Sequence, residues 1–268
     1  MAQQRNEYFG GPLFGYVQAK SDLLWPLLKD DPRYCFHGRA VGLDGGQAVE
    51  LTLIVSLAKL VGVALCDFVP TSEADKLQLS LEELGFSTDR MEMWTSGQAT
   101  IKTAREIIAS KSLLASDDIA FVTVDTSSSD LKALDEFTQK HGTSLPMESF
   151  IRGTQKPAVC VYARESDGQI FVTAASVGHF HDSHARSDMA YWGMLATRED
   201  RRGQGAALLM GAHAVVAMHE RHGFKRFFTP IKKGNTGSEH LCRKLGFSKQ
   251  DSAALIAIDT DVLPKANV

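Results

Sequence analysis

A chain of 268 residues, 44% hydrophobic and 23% charged, carries enough apolar side chains for one large domain or two small ones. Its formal charge of −3 and isoelectric point near 6.3 argue against broad non-specific binding to nucleic acid. The opening residues MAQQRNEYFGG lack the apolar core of a secretory leader. The apolar run from Leu51 to Phe68 holds Lys59 and is short for a membrane span, so it reads as a buried helix followed by a buried strand. Cys35, Cys66, Cys160 and Cys242 are scattered without a C-x-x-C pair. That pattern predicts reduced thiols in a cytoplasmic protein, with neither a disulfide framework nor a metal site.

In chain order, the first legible block is 45–94: a Gly-Gln pair, a long apolar helix, a strand ending in Pro70, a short helix ending in Leu84-Gly85-Phe86, and a closing strand. Residues from about Ser96 to Asp118 read as a helical connector. The segment 119–125 is rich in strand formers, and Ser129 or Asp130 is placed to cap a helix running to about His141, with Gly142 as its stop. A short helix is expected over 145–153. Strands over 156–165 and 168–180 are joined by a Ser-Asp-Gly turn. The polar loop HDSHARSD leads into a strand over 189–199. A helix from Gly205 to His222, a strand over 226–232, a helix from Thr236 or Ser238 to Leu245, and a strand or hairpin to Asp259 complete the chain. The block 202–256 repeats the order of 45–94, with 43 residues from Gly203 to Gly246 against 39 from Gly46 to Gly85, which is the signature of a degenerate duplication.

The stretch Arg202-Gly203-Gln204-Gly205-Ala206-Ala207 stands where the long helix begins. A helix N-terminus offers unpaired N–H groups and partial positive charge, and glycines let an anion approach them. Arg198, Arg201 and Arg202 add full charges. A tight strand-to-helix turn with solvated arginines is the competing reading. No Gly-Lys-Ser/Thr follows, so the turn is not a Walker loop, and the three-glycine dinucleotide fingerprint is missing too.

With the elements around it, this stretch resembles the GNAT superfamily of acyl-CoA-dependent N-acyltransferases. Arg202, Gly205 and Ala207 fill the specified positions of that family's Q/R-x-x-G-x-G/A loop, and Asn235 with Leu241 to Phe247 (LCRKLGF) matches its later motif. The resemblance covers residues ~119–262. It implies an α/β (α+β) fold with a mixed, mostly antiparallel central sheet flanked by helices, and a degenerate GNAT-like copy at the N-terminus. The implied division is 1–117 for that copy plus its connector and 118–268 for the acyltransferase domain. By resemblance, residues 203 to 207 (Gly203, Gln204, Gly205, Ala206, Ala207) and Arg202 bind the coenzyme A pyrophosphate, Leu195 and Thr197 bond the pantetheine arm through their backbone, and Asn235 belongs to the same cofactor site. In the N-terminal copy the loop is LDGGQAVE, with Asp44 in place of the arginines and Ala48 where Gly205 stands. Asp44 would repel a pyrophosphate there, so this copy is expected to be structural.

Catalytic candidates follow from the same resemblance and from the residue types. Cys242 stands where many relatives have the Tyr that protonates the coenzyme thiolate; a thiol can donate a proton, although a small buried packing residue is the rival reading. His179 and His181, with Asp182 and His184 in the same loop, have suitable chemistry for a general base, as has Glu148. That H-x-H-x-x-H spacing sits in a polar loop without a supporting carboxylate-bearing helix, and no metal is expected. Lys232, Lys233, Arg243 and Lys244 are candidates for the coenzyme 3′-phosphate, or a solvated face. Tyr191 and Trp192 either shape the acceptor pocket or pack, and His213 and Met218 are read as packing or surface residues. The expected function is direct transfer of acetyl from acetyl-CoA to a primary amine in a ternary complex. The alternative is a non-catalytic acyl-CoA-binding or regulatory module. Expected partners are acetyl-CoA and an amine, with no nucleic acid and no membrane; a homodimer is compatible with this reading.

Overall fold

The computed structural model describes residues 7–46, 50–113 and 117–263. Ala48 of the N-terminal loop lies outside them. The elements are α1 (Gly11–Leu28), β1 (Tyr34–Phe36), β2 (Val41–Asp44), α2 (Leu51–Val61), β3 (Val63–Pro70), α3 (Thr71–Glu83), β4 (Ser87–Ser96), α4 (Ala99–Ser110), β5 (Asp118–Phe121), α5 (Ser128–Lys140), α6 (Glu148–Ile151), β6 (Ala158–Arg164), β7 (Ile170–Gly178), β8 (Met189–Thr197), α7 (Ala206–His222), β9 (Arg226–Lys232), α8 (Thr236–Leu245) and β10 (Ser248–Ile258). The strands form one ten-stranded sheet in the order β1-β2-β3-β10-β4-β9-β8-β7-β6-β5. Only β2–β3 and β8–β9 are parallel; the other neighbours are antiparallel. This is the mixed, mostly antiparallel sheet with flanking helices that the sequence predicts.

The order of the central strands is what no local pattern could reveal. β4, which closes the 45–94 block, pairs with β9 of the 202–256 block, while β10, which closes the latter, pairs with β3 of the former. β4 and β10 also pair with each other. Each block therefore completes the other's part of the sheet, and the parallel pairs β2–β3 and β8–β9 stand in corresponding places on either side of β10 and β4.

Several boundaries shift for identifiable reasons. Helix α5 begins one residue before the earlier of the two expected caps, because Ser127 is the residue whose hydroxyl accepts the Asp130 N–H. The strand expected to 125 ends at Phe121, where the chain enters a turn stitched by Thr123 and Thr126. The expected 145–153 helix shrinks to the single turn α6. Helix α1 was not foreseen; Gln18, fully buried in it, donates to the Phe9 and Leu145 carbonyls and accepts the Phe9 N–H.

Helix α7 runs across β6, β7 and β8 over the largest apolar cluster, which includes Phe171, Trp192, Met210, Val215, Met218 and Phe227. Gly211 makes the close approach possible: the Trp192 indole N–H donates to its carbonyl at 2.9 Å, and a methyl added there would meet Trp192 Cζ2 at 2.5 Å. We expect Gly211→Ala to lower stability by up to about 2 kcal/mol, because overpacking at about 1–3 kcal/mol opposes the roughly 1 kcal/mol gained in helix propensity. Denaturant unfolding checks it; an unchanged or raised midpoint would show that the indole moves freely.

His213, on the same helix, lies edge-on to the Phe121 ring at 6.4 Å, and burial lowers its pKa from the ordinary 6.5. The unfolded chain therefore takes up a proton below pH 6.5 that the folded chain resists, and stability falls as pH drops through that range. Between pH 7.5 and 5 the melting temperature of the wild type should fall about 1–4 °C further than that of His213→Gln. Parallel curves would exclude this histidine from the acid response.

Candidate coenzyme site at the open end of two parallel strands

Strand β8 follows β7 along its whole length, to Val172↔Thr197. Its parallel pairing with β9 covers only Met189↔Arg226, Ala190↔Phe227 and Tyr191↔Phe228. Beyond Tyr191 the two strands share no pairing. A bulge sits there, where the β7 register shifts opposite Gly193–Ala196, and Met194 within it takes φ 54°. A non-glycine residue at positive φ is costly and needs surrounding structure to hold it; here Met194 is anchored in the apolar cluster of Leu134, Phe137 and Cys160. Backbone groups alternate sides along a strand, and the Arg198 N–H donates to Phe171 of β7. Leu195 and Thr197 consequently present their backbone groups to the open side. The Thr197 carbonyl accepts from Arg202 Nε at 3.3 Å.

After a short 3-10 turn over Glu199–Arg201, Gly203 (φ 76°) and Gly205 (φ 86°) turn the chain into α7. Gly205 is the N-cap, and no side chain caps the helix. The first-turn N–H groups of Ala206 and Ala207 thus remain available for an anion. Beside them lies a pocket of about 250 Å³ lined by Ser110, Lys111, Ser112, Leu113, Gln204 and Gly205.

The arginines divide sharply. Arg198 is held by Asp200 and Glu165, and Arg201 by Glu165 and Asp117, with its guanidinium 4.1 Å over the Phe171 ring. Their carboxylate partners raise the Arg198 pKa further. These two hold the loop in place, which corrects the expectation that all three arginines offer free charge. Arg202 is exposed, with Glu199 at 3.8 Å as its carboxylate neighbour. A second cation comes from a residue that sequence reading missed: the Lys111 amine reaches to 3.5 Å from where a Gly205 Cβ would lie. Lys111 follows α4 in the connector, and nothing in its local sequence marks it.

Asn235 caps α8, its Oδ1 accepting the Ser238 N–H. Its side-chain oxygen is therefore engaged within the helix start. A larger cleft of about 620 Å³ is lined by residues that include Trp94, Lys233, Glu239, Arg243 and Lys249. Arg243 is paired with Glu239 and lies over Trp94, and Lys232 is paired with Asp89. Lys233 and Lys244 have no ion-pair partner among the described residues.

The proposed catalytic side chains are held by separate parts of the fold. Cys242 is 1% exposed inside the main apolar cluster, and burial pushes its thiol up to about 12. A thiol so placed packs, which corrects its candidacy as an acid. Glu148 is locked between Arg152 (2.8 Å) and the Glu7 N–H (3.1 Å), and this fixed pairing corrects its candidacy as a base. His181 is turned toward Ser183 in the loop, and Asp182 is exposed. His184 is bound to Asp44 at 2.9 Å. His179 is buried, and desolvation holds its pKa well below the usual histidine value; its ring stacks on Tyr191 at 5.2 Å. Tyr191 leans along β8 over Gly193, where an added Cβ would collide with the phenol oxygen. That oxygen has no hydrogen-bond partner among the described residues. Trp192 points the other way into the core.

The described start of the N-terminal counterpart, Asp44 to Gly46, meets a side chain from the other half of the chain. Arg186, from the loop before β8, is paired with Asp44 and would meet a Gly46 Cβ at 2.5 Å.

Among the described residues no helix is long and apolar enough to cross a membrane. No curated protein matches the chain in sequence. Three solved structures share its fold at low identity. A GCN5-related N-acetyltransferase from Kribbella flavida has a TM-score of 0.54 and 15% identity, over 85% of this chain and 83% of its own. A tandem GNAT protein from the clavulanic acid biosynthesis pathway has a TM-score of 0.53 and 10% identity, over 84% and 76%. A Drosophila protein has a TM-score of 0.52 and 14% identity, over 92% and 89%. In sequence, residues 131–247 match the acetyltransferase (GNAT) family. That match runs from within α5 to just past the end of α8, on a fold that the chain shares with GNAT proteins.

Proposed function

We propose that the chain transfers acetyl from acetyl-CoA to a primary amine by direct attack in a ternary complex. The observation that carries this reading is the early end of the β8–β9 pairing beside an uncapped, glycine-turned helix start. The pyrophosphate lies on the N–H groups of residues 203–207, with Arg202 and Lys111 as its cations. The pantetheine arm runs along the open edge of β8, bonded to Leu195 and Thr197. The amine nitrogen attacks the thioester carbonyl near the Met194 bulge, the carbon–sulfur bond breaks, and the thiolate takes a proton. Tyr191 is the donor we assign, since its hydroxyl is unpartnered and leans toward the bulge. The amine gives its proton to solvent. In the same reading 1–117 and 118–268 are two copies of one unit, of which the second works.

Calorimetric titration of the full chain with acetyl-CoA, followed by an amine screen, tests this. One site per chain near micromolar affinity is expected, about −8 kcal/mol, together with turnover. Tyr191→Phe should keep the affinity and lower kcat about 100-fold, the scale of one general acid. Binding without turnover on any amine would favour the non-catalytic acyl-CoA module, a reading that the burial of Cys242 and the locking of Glu148 support. No binding would overturn both.

A further inference from the structure

We infer that Cys35, His37 and Asp67 form a binding site for a divalent zinc ion, separate from the acyl-transfer site and independent of that reading. Cys35 and His37 are two residues apart along and just beyond β1, so both side chains fall on one face. Between them and β3 lies β2, where Gly42 leaves bare backbone. A Cβ there would meet His37 Nε2 at 2.8 Å. The missing side chain lets the imidazole lie across β2 and reach Asp67.

The three donor atoms lie within 4.8 Å of one another. Cys35 Sγ is 3.3 Å from His37 Nε2, and Asp67 Oδ2 is 3.2 Å from the same nitrogen. Around a tetrahedral zinc, with bonds of about 2.3 Å to sulfur and about 2.0–2.1 Å to nitrogen and oxygen, those separations would be about 3.5 and 3.3 Å. One imidazole nitrogen carries at most one proton or one lone pair, and cannot satisfy both neighbours. Asp67 Oδ2 indeed receives no hydrogen bond despite its 3.2 Å approach, although the side chain is 1% exposed. A buried carboxylate oxygen left without a donor is costly; a cation at the shared point serves all three atoms.

A second unpartnered donor lies alongside. The His179 ring is 4.3 Å from that of His37, and its buried Nδ1 has no hydrogen-bond partner. A thiolate and a carboxylate balance the two charges of the ion, and mixed sulfur, nitrogen and oxygen ligation suits zinc among the common divalent metals. Binding displaces the Cys35 thiol proton to solvent. Cys35 is wholly buried, so the site is closed to substrate and structural in kind. It ties β1 and β3 to the ring stack of His37, His179 and Tyr191, which backs the last paired residues of β8 and β9.

The full chain, stripped with a chelator and titrated with cobalt(II), tests the site. We expect one cobalt per chain with a thiolate-to-cobalt charge-transfer band, displaced by zinc, which also raises the melting temperature. The band should vanish in Cys35→Ser and persist in Cys66→Ser, whose thiol lies on the opposite face of β3. Affinity should fall at least tenfold in Asp67→Asn. A wild type without the band overturns the site, whatever the variants do. So does a band that survives Cys35→Ser, or cobalt bound without thiolate absorption, which would place it on the His181–His184 loop.

Discussion

Arg202→Glu is expected to weaken acetyl-CoA binding about 100-fold, about 2.8 kcal/mol at 1.4 kcal/mol per factor of ten, with the melting temperature almost unchanged. The asymmetry follows from what each arginine touches. Arg202 is exposed and 3.8 Å from a still more exposed Glu199, a contact of the kind that contributes about 0–1 kcal/mol. Its loss costs the fold little, while the reversed charge would face the phosphates across an uncapped helix start. Arg198→Glu should behave oppositely, because Arg198 is bound by Glu165 and Asp200 and helps to hold the loop. Its principal effect is expected on stability. Lys111→Glu should weaken coenzyme binding by a smaller factor. Unaltered affinity in Arg202→Glu, measured by calorimetry at fixed salt, would remove residues 202–207 from the coenzyme site.

Asp44→Ala is expected to destabilise the chain by about 2–3 kcal/mol, or roughly 5–10 °C in melting temperature. Asp44 is 4% exposed at its side chain and receives Arg186, His184 and the Gly46 N–H. Removing it strands two cationic or ionisable groups that arrive from the other half of the chain. Arg186 is partly exposed and lies over the Phe68 ring, so it can relax toward water, which keeps the loss below the full cost of a broken buried pair. The double variant Asp44→Ala/Arg186→Met should lose less than the sum of the two single changes. Strict additivity in denaturant unfolding would mean that the pair does not couple the halves. The charge that sequence reading treats as a repulsive misfit for pyrophosphate thus has a positive use. It receives Arg186, which stands over Gly46.

Much of the candidate coenzyme site was legible because its determinants are local. Two glycines at left-handed φ, an arginine beside them and a helix behind them are a turn, and a turn is written in consecutive residues. The fit of Asn235 and of Leu241 to Phe247 to the family's later motif was legible for the same reason, but the physical work of those residues was not. Asn235 serves as a cap and Cys242 as packing, and whether a side chain caps, packs or reacts depends on what lies across from it. Glu148 illustrates the point: a carboxylate on a short helix reads as a possible base until Arg152 and the Glu7 N–H are seen to hold it.

By itself the sequence determined most element types, the glycine-turned loop and the motif spacing that residues 131–247 share with the acetyltransferase (GNAT) family, since periodicity, turn chemistry and motif spacing act over a few residues. Only the tertiary structure decided which strands are neighbours. The pairing of β4 with β9 and of β10 with β3, the approach of Lys111 to Gly205, the Arg186–Asp44 pair and the meeting of Cys35, His37 and Asp67 join positions distant in the chain. Such contacts leave no local trace, because they are selected by the burial of a whole sheet and the pairing of its edges, which no short stretch of sequence encodes.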